Sequence, residues 1–305
     1  MSVNSKLETK IGSLVLKNPV MVASGTFGYG EEMSELYDIS KLGAIVTKGI
    51  SLKPREGNPM PRVVETASGM LNAIGLANVG IEKFISEKLP FLEKAGATVV
   101  VNIFGSTVGD YAEVARRLAE ETNVPAVEVN ISCPNVKSGG VQFGVDPKAA
   151  ARVTKAVRKV FPRTVIVKLS PQVSDICAIA KGIALEGADS LSLINTIPAM
   201  AIDIKSRTPV LANRIGGLSG PAIKPVALKL VHDVFNAVKI PIIGMGGIMT
   251  VGDALEFFLS GACAVQIGTA NFVSPMSPLE IIDGLECYVS SENLQNIGEL
   301  TGALK

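Results

Sequence analysis

The segment TVVVNIFGSTVGDYAEVARRLAEETNVPAVEVNI, residues 98–131, has the pattern of a strand, a helix and a second strand. Its outer runs, TVVVNI (98–103) and AVEVNI (126–131), are rich in valine and isoleucine, as buried parallel strands are. Between them, DYAEVARRLAEET (110–122) repeats apolar residues at spacings of three and four, which an amphipathic helix requires. The segment therefore predicts one βαβ unit.

The same alternation continues on both sides of this segment. Comparable helical patterns are KFISEKLPFLEKAG (83–96), PKAAARVTKAVRKVF (147–161) and IKPVALKLVHDVFNAV (223–238). Further short apolar runs bring the predicted strands to eight: VMVA (20–23), AIVT (44–47), TVIVKL (164–169), DSLSLI (189–194), IPIIGM (240–245) and AVQIG (264–268). Eight such alternations, with no second compositional zone, predict one α/β domain over residues 1–305, a closed (β/α)8 TIM barrel.

Two further patterns refine this fold. LETKIGSLVLKNP (7–19) alternates around a Gly-Ser turn and predicts a short N-terminal β-hairpin that closes the bottom of the barrel. A doubly wound open sheet is the alternative architecture. The sequence contains neither GxGxxG nor GxxxxGK[ST], which argues against the commonest nucleotide-binding forms of that alternative.

Composition limits the classes of partner. The 305 residues include 29 basic and 28 acidic side chains, so no net field attracts nucleic acid or an anionic membrane. The first residues lack a signal pattern, and no apolar run reaches the roughly 18 residues of a membrane span, which predicts a cytoplasmic protein. The four cysteines are far apart without CxxC spacing, so we expect free thiols and no metal site.

Polar residues stand at the ends of the predicted strands, where barrels build their active sites. They include two lysines, Lys48 and Lys168, and three asparagines, Asn102, Asn130 and Asn195. Any one asparagine could cap a helix or bond a loop backbone, but burying five such groups without partners would cost several kcal/mol each. Because an amide both donates and accepts, the set predicts a planar ligand rich in amide and imide groups.

Glycine clusters follow the late strands of the predicted barrel. GGLSGP (216–221), GMGG (244–247) and QIGT (266–269) all fall in loops where barrels commonly bind phosphate through backbone N–H groups. Glycine lets the backbone approach a phosphate without an intervening Cβ. One cluster could be an ordinary turn, whereas three in the expected loops favour a phosphate site.

The reactive side chains leave several chemistries open. Lys168 suits either a Schiff base or a fixed charge facing a developing anion. Cys133 could be an inert thiol, a nucleophile or a general base, and it opens a Pro- and Gly-containing loop that permits a lid motion. Cys177 and Cys263 fit structural thiols. The only histidine, His232, falls on a helix surface, so proton transfer would use cysteine, lysine or a carboxylate.

Taken together, these motifs resemble those of the family-1 dihydroorotate dehydrogenases, flavoprotein barrels of pyrimidine synthesis. The resemblance covers roughly residues 7 to 290 and is carried by TKGI (47–50), NAIGL (72–76), NISCPN (130–135), VKSGG (136–140), FG (143–144), VKLSP (167–171), NT (195–196), GMGGI (244–248) and QIGT (266–269). It is greatest to the NAD-linked class 1B catalytic subunit, in which a cysteine is the base. The membrane-bound class 2 enzymes use serine and carry an N-terminal extension.

The resemblance implies oxidation of (S)-dihydroorotate to orotate in de novo UMP synthesis. Cys133 would take a proton from C5 while a hydride leaves C6 for N5 of FMN. A thiol with a pKa of about 8.5 can serve as that base when it is partly ionised. Lys168 would be the charge beside N1 and O2 of the flavin, so the resemblance favours the fixed-charge role.

The resemblance also assigns ligand residues position by position, which makes the chain an FMN-binding barrel. Residues expected to hold FMN are Ser24, Lys48, Gly49, Asn102, Asn130, Lys168, Ile194, Gly220, Gly246, Gly247, Gly268 and Thr269. Residues expected to hold the substrate are Lys48, Asn72, Ala73, Ile74, Gly75, Leu76, Asn130, Asn195 and Thr196.

The resemblance also implies a partner subunit. Class 1B barrels pass electrons to NAD through a subunit that carries FAD and a [2Fe–2S] cluster, as a barrel homodimer within a heterotetramer. The fumarate-using class 1A enzymes, which are barrel homodimers, are the nearest alternative. A Schiff-base aldolase barrel and a non-catalytic phosphate-ligand sensor are more remote alternatives.

Overall fold

The computed structural model describes residues 6–132 and 143–305, which contain strands β1–β16 and helices α1–α10 numbered along the chain. Eight parallel strands close into a barrel in the order β10-β15-β16-β3-β4-β7-β8-β9. They are β3 (Val20–Val22), β4 (Ala44–Val46), β7 (Val99–Ile103), β8 (Ala126–Asn130), β9 (Thr164–Lys168), β10 (Ser190–Leu193), β15 (Ile242–Met245) and β16 (Ala264–Ile267). The predicted (β/α)8 barrel is confirmed, and each predicted strand end agrees within two residues.

Helices surround this barrel. They are α1 (Glu31–Ser34), α2 (Gly80–Lys83), α3 (Leu89–Lys94), α4 (Val108–Ala119), α5 (Pro147–Val160), α6 (Ile176–Leu185), α7 (Lys224–Ala237), α8 (Val251–Leu259), α9 (Ala270–Val273) and α10 (Ser277–Ser291). Capping boxes fix the starts of two of them, Thr107 with Asp110 at α4 and Thr250 with Asp253 at α8. In the part of the chain that is described, no helix is both long and apolar enough to cross a membrane.

The predicted N-terminal hairpin is also present. Strands β1 (Thr9–Ile11) and β2 (Leu14–Leu16) pair antiparallel. The backbone N–H of Leu14 donates to the hydroxyl of Thr164, the first residue of β9, at 3.1 Å. Ile11, Leu14 and Leu16 are buried against residues of the barrel interior. The hairpin therefore closes the amino-terminal end of the barrel and leaves the carboxyl end for a site.

A four-stranded antiparallel sheet lies at the carboxyl end, and the sequence analysis did not predict it. Its order is β11-β14-β6-β5, from β5 (Val63–Thr66), β6 (Gly69–Asn72), β11 (Ile197–Ala199) and β14 (Gly216–Ser219). The short strands β12 (Ile202–Asp203) and β13 (Thr208–Pro209) form a separate two-stranded ribbon. The four-stranded sheet joins the loops that follow β4 and β10, so it brings two of the predicted substrate segments together.

Candidate active site at the carboxyl end of the barrel

A cavity of about 990 Å³ is lined by the carboxyl ends of the barrel strands and by the four-stranded sheet. This volume is at the upper end of the range for sites that enclose a small molecule or cofactor. The predicted ligand residues that the structure describes all line it: Ser24, Lys48, Gly49, Asn72, Ala73, Ile74, Gly75, Leu76, Asn102, Asn130, Lys168, Ile194, Asn195, Thr196, Gly220, Gly246, Gly247, Gly268 and Thr269.

Cys133, the predicted base, lies outside the described residues. Ser132 and Gly144, close to either side of the segment 133–142, both line the cavity. The Ser132 hydroxyl donates to the backbone C=O of Lys168 at 3.4 Å, and its N–H donates to the side-chain oxygen of Asn130 at 3.2 Å. The chain on the N-terminal side of Cys133 is thus held at the cavity by hydrogen bonds.

A buried carboxylate that the sequence analysis missed lies behind the cavity lining, bonded to the lining residues Asn102 and Gln266. Glu128, on β8, is fully buried and accepts from Asn102 Nδ2 at 2.6 Å, Gln266 Nε2 at 2.7 Å and Ser192 Oγ at 2.8 Å. Lys168 Nζ lies 3.8 Å from Glu128 Oε2. Alternation gave a signal that could have found it, because Glu128 and Asn130 lie two residues apart and so share the inward face of one strand.

Two amide oxygens beside this carboxylate have no hydrogen-bond donor within the described chain. They are Asn102 Oδ1 and Gln266 Oε1, and both residues line the cavity. Leaving a buried acceptor without a donor costs about 1–3 kcal/mol. The cavity therefore suits a ligand that donates hydrogen bonds, and the imide ring of a flavin is such a ligand.

Glycines in the late loops allow close approach of the backbone. Gly246 and Gly247 have φ of +126° and +79°, and a Cβ added to Gly247 would lie 2.8 Å from the Gly220 carbonyl oxygen. Gly268 has room around it, since an added Cβ would meet only Ala23 Cβ, at 3.8 Å. The neighbouring Thr269 hydroxyl donates to Ser219 Oγ at 2.8 Å. These loops fit a phosphate group because little side-chain bulk lies between it and the backbone.

The cavity lining also contains a second lysine and several further amides. Burial, reinforced by the charge of Arg62, lowers the pKa of the Lys48 ammonium. Asn72, the last residue of β6, donates to the Gly217 C=O at 3.4 Å across the four-stranded sheet. Asn195 Oδ1 accepts from the Thr196 N–H at 2.8 Å. A cation with amides around it suits a small planar carboxylate.

Other residues singled out in the sequence lie away from this chemistry. His232 is exposed on α7, as predicted. Cys177 lies on α6 and Cys263 immediately before β16, and both pack on apolar clusters. Burial raises the pKa of the Cys263 thiol to about 12, which keeps it protonated and unreactive at neutral pH. Across residues 6–132 and 143–305, no group of His, Cys, Asp or Glu residues could hold a metal ion.

Comparison with known proteins identifies the family of this chain. A sequence model described as dihydroorotate dehydrogenase matches residues 6–289. The chain belongs to the dihydroorotate dehydrogenase family. This confirms the resemblance found in the sequence, and the family is one of flavin-dependent oxidoreductases.

Three full-length relatives share the name "Dihydroorotate dehydrogenase B (NAD(+)), catalytic subunit". A protein of Trichlorobacter lovleyi is 58% identical over 299 residues, 98% of both chains. One of Geobacter sulfurreducens is 57% identical over 98% of both chains, and one of Thermoanaerobacter sp. is 53% identical over 98% of this chain and 99% of the relative. The similarity to the B catalytic subunits expected from the sequence is confirmed, and the fumarate alternative is not favoured.

Proposed function

We propose that this chain oxidises (S)-dihydroorotate to orotate in de novo UMP synthesis, as an FMN-dependent dihydroorotate dehydrogenase. The observation that carries the proposal is the 53–58% identity, over nearly the whole chain, to proteins named as catalytic subunits of this enzyme. The cavity supports it, because cationic, amide and glycine-rich parts occur together in one space.

The residues present fit FMN, and we assign the chain as one FMN-binding unit. The glycine-rich loops around Gly220, Gly247 and Gly268 suit its phosphate, and Asn102 and Lys168 suit its ring. When bound, FMN supplies the hydride-accepting chemistry that no amino-acid side chain provides. The full FMN set is Ser24, Lys48, Gly49, Asn102, Asn130, Lys168, Ile194, Gly220, Gly246, Gly247, Gly268 and Thr269.

Lys168 is proposed to act as a fixed charge. Lys168 is 5% exposed, and its Nζ lies 3.8 Å from Glu128 Oε2, so the charge is held in place in a buried setting. A preorganised cation there stabilises negative charge that develops on the ligand, at little reorganisation cost. The pairing with a carboxylate supports this role over a Schiff-base lysine, which needs a neutral amine.

The substrate is proposed to lie toward Lys48, the segment 72–76, Asn130 and the pair Asn195–Thr196. Lys48 supplies a positive charge for the carboxylate of dihydroorotate, and the amide side chains bond the ring N–H and C=O groups. Cys133, outside the described residues, would remove the proton from C5. Because Ser132 is bonded to Asn130 and Lys168, the preceding backbone is tied to residues assigned to both ligands.

Electron transfer to NAD is proposed to use a second subunit. The names of the relatives include both NAD(+) and "catalytic subunit", which supports a separate electron-transfer partner. We infer that this partner carries FAD and a [2Fe–2S] cluster and binds a homodimer of this chain in a heterotetramer. We place the assembly in the cytoplasm, where the pyrimidine precursors are made.

The test starts from the purified chain. It should be yellow, release FMN on denaturation, and bleach when dihydroorotate is added without oxygen. A colourless protein that takes up no FMN on reconstitution would overturn the proposal. A protein that binds FMN but is not reduced by dihydroorotate would keep the flavin site and reject the substrate.

A further inference from the structure

The Glu128 carboxylate fixes the orientation of two side-chain amides in the cavity lining. Asn102 and Gln266 each donate a side-chain N–H to it. A carboxylate facing donors on both oxygens only accepts, so turning either amide over would place a C=O against negative charge. Glu128 therefore fixes Asn102 Oδ1 and Gln266 Oε1 as acceptors that face away from it.

Both acceptors belong to residues that line the cavity. Both are buried, and neither has a donor in the described part of the chain. A Cβ added to the cavity-lining Gly49 would lie 2.9 Å from Asn102 Oδ1, so this oxygen is directed toward the Gly49 backbone. Because an unpaired buried acceptor is costly, a ligand that donates to these oxygens is preferred over one that does not.

Lys168 adds a cation to the same surface. Its Nζ is 3.8 Å from Glu128 Oε2, and the residue lines the cavity. Two fixed acceptors and one cation match a planar heterocycle whose edge presents both N–H and C=O groups. The pyrimidine-like ring of a flavin has an imide of this kind, so the match deepens the proposed FMN site and rests on it.

We propose that Glu128 is a positioning residue that sets the ring specificity of this cavity. By holding two amide oxygens as acceptors and Lys168 as a cation, it selects a heterocycle with an imide N–H over one whose edge only accepts. Ser192 supports it from outside the cavity lining, because its hydroxyl donates to Glu128 Oε1 at 2.8 Å.

The first test is Glu128→Gln, which keeps the shape but makes the side chain a donor as well as an acceptor, so the partner amides lose their fixed orientation. FMN titrated into the apoprotein should bind about tenfold more weakly or worse. The visible absorption of the bound flavin should change. Its reduction potential should become more positive, because a buried negative charge near the ring has been removed.

The ring specificity is measured with FMN methylated on the imide nitrogen. Wild-type protein should bind this analogue at least about tenfold more weakly than FMN, and Glu128→Gln should discriminate less. If wild-type protein binds no FMN, the proposed function fails and this inference fails with it. If it binds FMN but Glu128→Gln shows the same affinity, spectrum and potential, the positioning role alone is overturned.

A matched pair on β10 covers the case in which Glu128→Gln does not fold. Ser192→Ala removes one donor to Glu128. Ser190→Ala, on the same strand as Ser192, removes a donor to the Pro241 C=O at 2.9 Å. Only Ser192→Ala should shift the flavin spectrum and weaken FMN binding. If the two variants had the same flavin spectrum and the same FMN affinity, the hydrogen bonds to Glu128 would have only a structural role and the inference would be overturned.

Discussion

Lys48 is the residue at which electrostatics bears most directly on substrate binding. Burial lowers the pKa of its ammonium, Arg62 lowers it further, and Glu32 opposes them. Lys48 loses its charge as pH rises through a value below the ordinary 10.5. A ligand carboxylate held by this charge binds fully below that pH and is released above it.

Two charge variants should shift the pH at which the ligand carboxylate is released, in opposite directions. Arg62→Gln removes a neighbouring cation, so the pKa of Lys48 rises and orotate binding persists to higher pH. Glu32→Gln removes a neighbouring anion, so the pKa falls and binding is lost at lower pH. Orotate titrations of the FMN-loaded protein, followed by flavin absorbance across alkaline pH, measure both midpoints. Identical midpoints in the two variants would show that Lys48 does not hold the carboxylate.

Cys133 is tested by its effect on the rate of flavin reduction. Cys133→Ala should leave FMN bound and slow reduction by dihydroorotate about 10²-fold or more, the scale expected for a lost general base. Cys133→Ser should be slow at neutral pH and recover partly at high pH, because a hydroxyl ionises less readily than a thiol. Cys287→Ala, at an exposed position on α10, is the control and should reduce at the native rate. Native-rate reduction by Cys133→Ala would place the base elsewhere.

Among single residues, sequence could predict the candidates at strand ends, and strand alternation could place Glu128 on the same inward face as Asn130, but the hydrogen-bond partners of Glu128 could not be predicted. Lys168 and Asn130 are the last residues of β9 and β8, which is where barrel chemistry is expected. Glu128 lies one inward position deeper. Its hydrogen-bond donors Ser192 and Gln266 are 64 and 138 residues away in sequence. No local pattern therefore predicts these hydrogen bonds.

At the level of elements, the glycine loops after β15 and β16 differ in how tightly they are packed. Gly247 has a positive φ, and an added Cβ would lie 2.8 Å from both the Gly220 carbonyl oxygen and Lys224 Cβ. Gly268 has no such neighbours. The first loop therefore needs glycine for the fold itself, whereas the second keeps glycine for what approaches it from the cavity.

Alanine at these two glycines should separate folding from binding. Gly247→Ala should lower the stability of the apoprotein by about 1–2 kcal/mol or more through left-handed backbone strain, with FMN binding weakened as well. Gly268→Ala should fold with a native Tm and lose FMN affinity. Thermal melts and FMN titrations of both proteins check this. If Gly268→Ala bound FMN at native affinity, the loop after β16 would not form part of the phosphate site.

The length and burial of the elements explain which of them were predictable from the sequence. The barrel strands are buried apolar runs followed by amphipathic helices, and both periods are visible in sequence. The strands of the four-stranded sheet are only three or four residues long and largely half-exposed or exposed. β6 pairs with β14 through Asn72 and Gly217, which are 145 residues apart. Short, half-exposed strands joined across such a distance carry no local signal.

On the scale of the whole molecule, the two ends of the barrel are chemically distinct. The hairpin packs Ile11, Leu14 and Leu16 into an apolar cluster at the amino end. The carboxyl end has buried charges, amides and glycine loops around one cavity. The apolar layer beneath separates this polar site from solvent at the opposite end, so ligands reach the cavity from the carboxyl end.

Electrons that reach a flavin in this cavity need a route to NAD. The sequence has no GxGxxG fingerprint for a second nucleotide. Three of its four cysteines lie on α6, ahead of β16 and on α10, so they are not gathered as iron–sulfur ligands. The isolated chain should therefore reduce its flavin with dihydroorotate but turn over NAD only at background rate.

Adding the electron-transfer subunit should raise NAD reduction from background toward the rate of flavin reduction, with fumarate turnover remaining slow. The assay compares the isolated chain and the reconstituted complex, each with dihydroorotate and either NAD or fumarate.

The net charge of the chain gives a further expectation, for the salt dependence of the complex. With a formal net charge of +1, this chain has no bulk field to attract a partner, so the complex should persist at raised salt. Fast fumarate turnover by the chain alone, with no gain in NAD reduction on adding the partner, would instead assign the fumarate-dependent reaction and leave the FMN and substrate residues unchanged.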